Sequence, residues 1–583
     1  MLRITLDFET YWDNECTLSK LSVWEYIRHP SFKIHMCGVM FGDAPVEIYT
    51  HEELKSLFAE IDWSNAAVCG HNLSGFDGII LNEVYGVVPG LYVDTKDMAV
   101  YDSPREKSHS LNACAERYLD SEKIQGVLIQ SKGVKDIKPG TKLFKDMAKY
   151  CARDVELTAQ LAKVLVPKVP PHERQLIHLT AKMNATPVLH INKEEVGGVT
   201  KGILSERKEV LEKLNMEDEK DITSLKKFAK LLQKEGVHVP YKYSKVQDKM
   251  IPALSKDDNT LPVIAEQGNE RVKLLVRARE LFSSNLALTR LHRWLVASEQ
   301  GTKPISFPLI YHGAKNTGRW SGAAKLNGQN IPREGGLREC IFAPPGCKFI
   351  IADYSAIEMR MCAYLAGEQR ILSAYKAGRD IYCEVGTDIL GVKVTKETKR
   401  ERFISKVICL AGIYGAGPPR IKHVLAKSGI ILTDDEAVRA VYRFRDAVPR
   451  IRELWNRLDK LCRRGFLVLP SGRKITYPDL HVNKEGDLVF WNGKFHEKLY
   501  GAKCTEGCSQ ASARDVFAAH WVQMDIEGIQ VAMGVHDEFV VVEKEDRVEE
   551  TKALMEAIMV TPPPFCDGLP LGCEITVSEY YTK

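Results

Sequence analysis

The beginning of the chain alternates strictly between apolar and polar side chains, which is the pattern of a half-buried β-strand. Successive side chains of a strand point to opposite faces, so Ile4, Leu6 and Phe8 are predicted to face a core. Asp7 and Glu9 then share the other face, where two carboxylates repel each other unless a cation lies between them. The alternative is a polar strand face in water, and this segment alone does not decide between the two.

The composition limits what the whole chain can be. With 583 residues, 44% hydrophobic residues and a formal net charge of +4, the chain has enough apolar material for several packed domains and is not disordered. The 15 cysteines are scattered and odd in number, which favours reduced thiols in a cytoplasm over a disulfide framework. No stretch approaches the ~20 apolar residues of a membrane helix, so we expect no membrane association.

Two further segments of the N-terminal part carry acidic residues. Asp77 follows an apolar stretch, and Tyr150 and Asp154 lie one helical turn apart on one face of a predicted helix. A proline-rich stretch, Pro167–Pro171, then marks a predicted domain linker. In this order the segments resemble the proofreading 3′–5′ exonucleases, which have Asp-Glu-Asp-Asp metal ligands, a tyrosine and an RNase-H-like α/β fold. The resemblance implies a two-metal site with Tyr150 orienting the attacking water and four ligands, namely Asp7, Glu9, Asp77 and Asp154.

The later part of the chain contains a second set of candidate residues. A predicted buried strand ends at Asp353, which is either a site carboxylate or simply a helix N-cap. Four side chains then recur every fourth residue and are predicted to form one helix face: Arg402, Lys406, Leu410 and Tyr414. Two cations on neighbouring turns suit a triphosphate, although a surface helix with snorkelling basic residues is the alternative.

A predicted hairpin follows between Val531 and Val542, with Gly534 and a charged trio at its tight end. The trio is His536, Asp537 and Glu538; acidic residues at such positions are often only turn residues. Taken with Asp353 and the 402–414 helix, however, the hairpin resembles the third of three motifs (A, B and C) of the family A, polymerase-I-like DNA polymerases. Residues 317–321 and 329–332 resemble the segment of that family that contacts the primer terminus.

The resemblance implies a role for each matching position. Asp353 and Asp537 would hold two Mg²⁺ ions, with Mn²⁺ as an alternative, and two more ions would occupy the exonuclease site. The implied nucleotide-binding residues are Arg402, Lys406, Tyr414, Glu358, Leu410 and Tyr354, with Glu358 as the gate that excludes ribonucleotides. The implied DNA-binding residues are Arg319, Gln329, Asn330, Gln510, His536 and Gly415. Two positions depart from the family pattern: Leu410 replaces an aromatic residue, and Glu506 stands where many members have asparagine.

The predicted fold class is therefore multidomain α/β, an RNase-H-like exonuclease domain followed by a right-hand polymerase domain. We expect an exonuclease domain over 1–166, a linker and the start of the polymerase domain over 167–192, a thumb over 193–300, palm over 301–366 and 456–583, and fingers over 367–455. Thumb lysines such as Lys226, Lys227, Lys242 and Lys245 would contact duplex phosphates. Because the exonuclease motif begins at residue 7, we expect no 5′-nuclease domain, as in bacteriophage enzymes.

The predicted function is template-directed DNA synthesis with proofreading, in a host cytoplasm if the protein is viral. The expected partners are primer-template DNA and deoxynucleoside triphosphates, with a helicase-primase or processivity factor as further candidates, and the expected state is a monomer. Three alternatives stay open at this point: a single-subunit RNA polymerase, a DNA-binding replication scaffold without catalysis, and a pure nuclease. Glu358 argues against the RNA polymerase, the intact metal carboxylates argue against the scaffold, and the Arg402/Lys406 pair argues against the pure nuclease.

Overall fold

The computed structural model describes residues 1–244, 247–255, 258, 260–323 and 325–582. The N-terminal part is built on a five-stranded sheet of order β3-β2-β1-β4-β5. β1 is antiparallel to β2 and parallel to β4, so the sheet is mixed. Ile4, Leu6 and Phe8 are buried, which confirms the predicted alternation. The strands are β1 (Leu2–Thr10), β2 (Ile34–Phe41), β3 (Glu47–Tyr49), β4 (Ala66–Gly70) and β5 (Leu91–Asp94).

Seven helices surround this sheet, and the longest one, α7, packs across β1 and β2. The sequence predicts α7 from Leu143 to Val166, and the structure places it one residue earlier at each end. Its buried face recurs at helical spacing and includes Tyr150 and Asp154. The helices are α1 (Val23–Ile27), α2 (His51–Ala59), α3 (Asp77–Tyr85), α4 (Thr95–Asp102), α5 (Leu111–Leu119), α6 (Val127–Ser131) and α7 (Lys142–Leu165).

The predicted linker is short and leads directly into a long helix that starts at Pro171, a residue suited to the first helical turn. This helix, α8 (Pro171–Ala185), packs on strand β5 and helix α3 of the N-terminal part. It also packs on strand Leu309–Ala314 and helix Gly501–Ile526 of the C-terminal part. Ten of its 15 residues are buried, although its sequence is only modestly apolar, because it lies between two cores. The linker region is therefore a packed joint.

The region from 193 to 298 is mostly helical, as predicted, but it also contains a two-stranded hairpin that the sequence pattern did not indicate. Of the predicted DNA-contacting lysines, Lys227 pairs with Asp221 at 2.7 Å and Lys242 pairs with Asp258, while Lys245 lies outside the described residues. The elements are β6 (His190–Ile191), α9 (Lys193–Leu214), α10 (Lys220–Thr223), α11 (Leu225–Lys234), β7 (Tyr241–Ser244), β8 (Lys249–Pro252), α12 (Thr260–Gln267), α13 (Glu270–Phe282) and α14 (Leu286–Ala297).

A four-stranded antiparallel sheet of order β18-β19-β12-β20 forms the centre of the C-terminal part. β12, β18 and the first half of β19 are near-continuous buried runs, because both faces are covered by helices and by the rest of the core. The edge strand β20 instead exposes Glu574 and Thr576. The predicted hairpin is present, but its loop is only His536–Asp537, and Gly534 lies inside the first strand. The elements up to the first helix are β9 (Leu309–Ala314), β10 (Arg319–Gly322), β11 (Ile341–Phe342), β12 (Cys347–Tyr354) and α15 (Ile357–Ala366).

Six helices follow α15 and form a separate apolar cluster with it. They are α16 (Gln369–Lys376), α17 (Ile381–Leu390), α18 (Lys399–Gly412), α19 (Pro418–Ala426), α20 (Asp434–Ala447) and α21 (Pro449–Leu461). α18 carries Arg402, Lys406 and Leu410, as predicted. It ends at Gly412, so Tyr414 lies beyond the helix, and the prediction of one continuous face through residue 414 is wrong at its last member.

The chain then forms two small sheets and a 26-residue helix before it returns to the central sheet. These elements are β13 (Phe466–Val468), β14 (Lys474–Thr476), β15 (His481–Val482), β16 (Leu488–Trp491), β17 (His496–Lys498), α22 (Gly501–Ile526), β18 (Val531–Val535), β19 (Glu538–Lys544), α23 (Val548–Val560) and β20 (Cys573–Ser578). Within the described residues, no helix combines the length and the apolar character that crossing a bilayer requires.

Candidate active sites

The first site lies where β1 meets the start of α3 and the middle of α7. Asp7 and Glu9 extend from β1, Asp77 is the first residue of α3, and Asp154 lies on the inner face of α7. The Phe8 backbone N–H donates a hydrogen bond to Asp77 Oδ1 at 3.3 Å, which joins the two elements. The structure thus brings together all four carboxylates predicted as exonuclease ligands.

These carboxylates repel one another in a poorly solvated place. Burial, with the charge of Asp154 next, raises the pKa of Asp7 to about 7, and burial raises the pKa of Asp154 to about 6. Burial and then the charge of Asp7 raise the pKa values of Glu9 and Asp77 well above their ordinary range. A cluster of this kind is stable in its ionised form only when cations are bound to it.

Lys123 is a residue of this site that the sequence analysis missed. Its ammonium group pairs with Asp154 Oδ2 and lies 4.4 Å from the centroid of the Tyr150 ring. It belongs to an irregular segment between α5 and α6, where no periodicity pointed to a role. A single ammonium group does not neutralise four carboxylates, and Asp154 Oδ1 is buried without a hydrogen-bond partner among the described residues. The site therefore fits divalent cations.

Oxygen atoms, and not sulfur, are the available ligands here. The Cys151 sulfur lies within 4.8 Å of ligand atoms of Asp7 and Glu9. Burial, followed by the charge of Asp7, raises the pKa of the Cys151 thiol well above its usual value, so the thiol stays protonated. An all-carboxylate donor set is the one that Mg²⁺ and Mn²⁺ prefer.

The second site lies at the end of β12 and in the β18–β19 loop. β12 pairs with β19 so that Asp353 is opposite Glu538, the residue after Asp537. The Tyr354 N–H donates a hydrogen bond to the carbonyl oxygen of Asp537 at 3.1 Å. Burial, with the charge of Asp353 second, raises the pKa of Asp537 to about 6. Two carboxylates that repel each other at a strand end form a cradle that fits divalent cations.

Glu358 is the centre of a hydrogen-bonded group beside this pair. Its carboxylate accepts from Arg319 Nη2 at 2.6 Å, from the Tyr414 hydroxyl at 2.7 Å and from Gln510 Nε2 at 3.4 Å. Four residues that lie far apart in the sequence, and that were each predicted to contact nucleotide or DNA, therefore meet at one point. Glu506, the added negative charge near Gln510, is paired with Lys503 at 3.2 Å.

A cavity of about 590 Å³ extends from Asp353 along α18. Lys406 and Leu410 line it, and Arg402 lines it while paired with Asp380 at 2.7 Å. Asp380 caps α17, and its pairing with Arg402 was not predicted. Further cations that the sequence analysis missed also line the cavity, namely Arg333, Arg360, Arg379 and Lys396. The excess of cations makes the cavity suited to a polyanion the size of a triphosphate.

The remaining predicted residues are placed as follows. The Tyr354 ring is buried and its hydroxyl is hydrogen-bonded to His520 Nδ1. The residue also lines the cavity that extends from Asp353, so its role in nucleotide binding stays a prediction. Gln329 is buried, and its Nε2 donates to the Trp320 carbonyl oxygen at 3.4 Å, so its contact with DNA stays a prediction. Asn330 and His536 are exposed. Glu538 is buried and accepts from the Tyr581 hydroxyl at 2.8 Å, consistent with a structural role.

Comparison with known proteins identifies the family. Residues 192–583, about two thirds of the chain, match the model described as DNA polymerase family A. The chain belongs to DNA polymerase family A. Residues 41–170 match the model described as 3′-5′ exonuclease, and this range includes Asp77, Tyr150 and Asp154. Domains of these two kinds generally use divalent metal ions.

Several relatives of this family A chain are named DNA polymerases. It is 28% identical to "DNA polymerase" of Bacillus phage SP02 over 57% of this chain and 60% of that protein. It is 26% identical to "DNA polymerase I" of Pseudomonas aeruginosa over 79% of this chain and 50% of that protein. The chain thus spans about half to three fifths of these relatives. It is 27% identical to "DNA polymerase I" of Aquifex aeolicus over 92% of this chain and 91% of that protein.

A solved structure shares the fold. The "POL domain of Pol1 from M. smegmatis complex with DNA primer-template and dNTP" superposes with a TM-score of 0.73 at 16% sequence identity. The match covers all of this chain and 95% of that one. Together with the two family matches, this likeness confirms the predicted fold class, an exonuclease domain followed by a family A polymerase domain.

Proposed function

We propose that this chain is a template-directed DNA polymerase with a 3′–5′ proofreading exonuclease. It replicates phage DNA by two-metal nucleotidyl transfer. The observation that carries the proposal is that the carboxylates of Asp353 and Asp537 lie close enough to repel each other, at one end of a cation-lined cavity. A second and separate carboxylate cluster in the N-terminal sheet supports the exonuclease activity.

In the site for DNA synthesis, at Asp353 and Asp537, the surroundings of each residue indicate its role. Mg²⁺, when bound by Asp353 and Asp537, would supply a lowered pKa for the primer 3′-hydroxyl and charge neutralisation for the pyrophosphate. Lys406 and Arg402 bind the triphosphate, and Arg402 must exchange its contact with Asp380 for the phosphates. Leu410 packs against the sugar, where the family has an aromatic ring.

The Glu358 group closes the other side of the nucleotide. Glu358 lies where bulk near the sugar C2′ excludes a 2′-hydroxyl, and its bond to Arg319 holds it there. The Tyr414 ring stacks at the templating position once the incoming base pair displaces its hydroxyl from Glu358. Arg319 and His536 contact the primer end, and Gln510 contacts the minor groove, where correct base pairs share their acceptors.

In the exonuclease site, the residues that would hold the cations are Asp7, Glu9, Asp77 and Asp154, and the bound cations would supply activation of water and stabilisation of the leaving 3′ oxygen. Tyr150 orients that water. Burial, with the charge of Asp154 next, raises the pKa of the Tyr150 hydroxyl far above its usual value, so it remains a hydrogen-bond donor. Lys123, whose ammonium group pairs with Asp154, would contact the substrate phosphate.

The alternative functions are less well supported. A single-subunit RNA polymerase would need space at the sugar C2′, and Glu358 occupies it. A non-catalytic scaffold would not retain carboxylates that repel each other at both sites. A pure nuclease would have no use for the cavity along α18. Primer-template DNA and deoxynucleoside triphosphates are the proposed ligands, and a helicase-primase or processivity factor, a monomeric state and a host cytoplasm remain proposals.

Primer extension with the full chain tests this function. With Mg²⁺, a recessed primer and all four deoxynucleotides, we expect extension to the end of the template. The same reaction with ribonucleotides should be slower by at least about a hundredfold, which corresponds to about 3 kcal/mol of discrimination. Efficient incorporation of ribonucleotides would favour the RNA polymerase alternative, and DNA binding without extension would favour the scaffold.

A further inference from the structure

A cluster of one aspartate and two histidines lies outside both active sites, on the small sheet formed by β15, β16 and β17. The side chains of Asp479, His481 and His496 each offer one ligand atom, and these atoms all lie within 4.8 Å of one another. All three residues are exposed. Two imidazoles and one carboxylate form the donor set that first-row transition metals such as Zn²⁺ prefer, in contrast to the all-carboxylate sets of the active sites.

The register of the sheet explains why the two histidines meet. His481 pairs with Val489 on one side of β16, and His496 pairs with Trp491 on the other. Residues 489 and 491 are two apart and share a face, so both histidines lie on that face. Their ring centroids are 5.0 Å apart across the central strand. The imidazoles therefore belong to the two edge strands of one sheet, and a shared ligand would cross-link these edges.

Asp479 completes the cluster from the turn before β15. Its Oδ2 is 2.6 Å from His496 Nε2, and its Oδ1 is 3.7 Å from His481 Nδ1. Bonds of about 2.1 Å to a tetrahedral metal would set ligand atoms about 3.4 Å apart. The two distances, measured from the two oxygens of one carboxylate, lie on either side of that value. His481 Nδ1 is also 2.8 Å from the Asp479 carbonyl oxygen, so binding through this nitrogen would exchange that hydrogen bond for the ion.

We propose that Asp479, His481 and His496 form a binding site for a divalent transition-metal ion of the Zn²⁺ class, with solvent in the fourth position. The ion stabilises a sheet whose strands have only two, four and three residues. The opposite face of that sheet presents Phe490, whose ring centroid is 4.8 Å from the guanidinium of Arg105 in the N-terminal part. The metal thereby strengthens the contact between the N-terminal and C-terminal parts of the chain.

The test is metal binding by the metal-stripped full chain in the presence of excess Mg²⁺, which occupies the carboxylate sites. Co²⁺ absorption and Zn²⁺ calorimetry should detect one binding event in the wild type. The His481→Ala/His496→Ala variant should lose it or bind at least tenfold more weakly. A control that removes two other exposed histidines, His238→Ala/His292→Ala, should bind as the wild type does.

A second measurement keeps the result independent of a single variant. Zn²⁺ should raise the thermal unfolding midpoint of the wild type and of the control, but not that of Asp479→Asn or of the double histidine variant. None of these residues belongs to either active site, so primer extension with Mg²⁺ should be unchanged in all of them. Equal Zn²⁺ stoichiometry and equal thermal shifts in wild type and both cluster variants would overturn the proposal and leave an ordinary surface histidine–aspartate pair.

Discussion

At the scale of single residues, Leu410 stands where the resemblance to the family implies an aromatic side chain. It lines the cavity beside Lys406 and lies four residues before Tyr414. Leucine offers neither a ring to pack on the sugar nor a hydroxyl to contact it. The character of the side chain at this position should therefore affect how the enzyme selects among sugars.

A matched pair of variants tests this interpretation. Leu410→Phe and Leu410→Tyr add nearly the same ring and differ by one hydroxyl group. The tyrosine hydroxyl can supply the hydrogen bond that a dideoxynucleotide, which has no 3′-hydroxyl, does not make itself. Leu410→Tyr should therefore discriminate against dideoxynucleotides less than Leu410→Phe. One hydrogen bond of about 1–1.5 kcal/mol corresponds to roughly a tenfold difference in the incorporation ratio. Identical ratios in both variants and the wild type would mean that residue 410 does not face the sugar.

Gly415 shows how one backbone position connects two elements. Its φ of +76° is in the left-handed region, and a Cβ there would lie 2.7 Å from Ala502 Cβ at the start of α22. The turn after α18 can thus approach α22 only when residue 415 is glycine. This gives a physical reason for a glycine beside Tyr414.

The variant Gly415→Ala should lower the thermal midpoint and slow nucleotide incorporation. The matched control is Gly429→Ala, because Gly429 has a φ of +71° but no atom within 4 Å of the position of an added Cβ. Both variants incur about 1–2 kcal/mol of backbone strain, and only Gly415→Ala adds an overpacking cost of about 1–3 kcal/mol. Equal thermal shifts in the two variants would show that the contact with α22 is not tight.

At the scale of secondary-structure elements, the sequence predicted the strands and helices whose apolar residues recur at a regular period or form a continuous run. The alternation of β1, the helical period of α7 and the apolar run of β12 gave their positions to within one or two residues. A period carries no information about residues in irregular segments. For that reason Lys123 was missed, although it lies against Asp154 in the exonuclease site.

Helix ends and side-chain pairing were also harder to predict than periods. α18 ends at Gly412, because Gly415 and the turn before α19 break the helix, so Tyr414 reaches Glu358 from a turn. The pairing of Arg402 with Asp380 depends on how α17 packs against α18, which is a tertiary property. The hairpin formed by β7 and β8 was missed because its strands have only four residues each.

At the scale of the whole molecule, one buried ion pair connects the joint helix α8 to the C-terminal part. Arg514 of α22 donates to both carboxylate oxygens of Glu173 at 2.7 and 2.9 Å, and the Tyr311 hydroxyl donates to Glu173 at 2.5 Å. Both ionic side chains are almost completely buried. Burial alone would raise the pKa of Glu173, but the Arg514 guanidinium outweighs it and holds this pKa at about 2.

Removal of this charge should destabilise the molecule strongly. Glu173→Gln removes the two-oxygen partner of the buried Arg514 guanidinium and leaves it only Asp515, which is 3.4 Å away and is shared with Arg473. Breaking a buried ion pair in this way typically costs about 3–5 kcal/mol. Because the folded pKa lies below the unfolded one, the stabilisation is complete above about pH 4.5 and is lost as the pH falls towards 2. The thermal midpoint of the wild type should therefore fall more steeply than that of Glu173→Gln between these pH values. A variant with an unchanged midpoint at neutral pH would contradict this role.

The most direct test of the account compares both activities in two variants, Asp353→Asn and Asp7→Asn, which keep the shape of each side chain and remove one charge. Asp353→Asn should lose primer extension by at least about a thousandfold, roughly 4 kcal/mol, and still digest a mismatched primer at the wild-type rate. Asp7→Asn should show the opposite pattern. Loss of both activities in either variant, or full extension by Asp353→Asn, would contradict the existence of two independent cation sites, one for synthesis and one for removal.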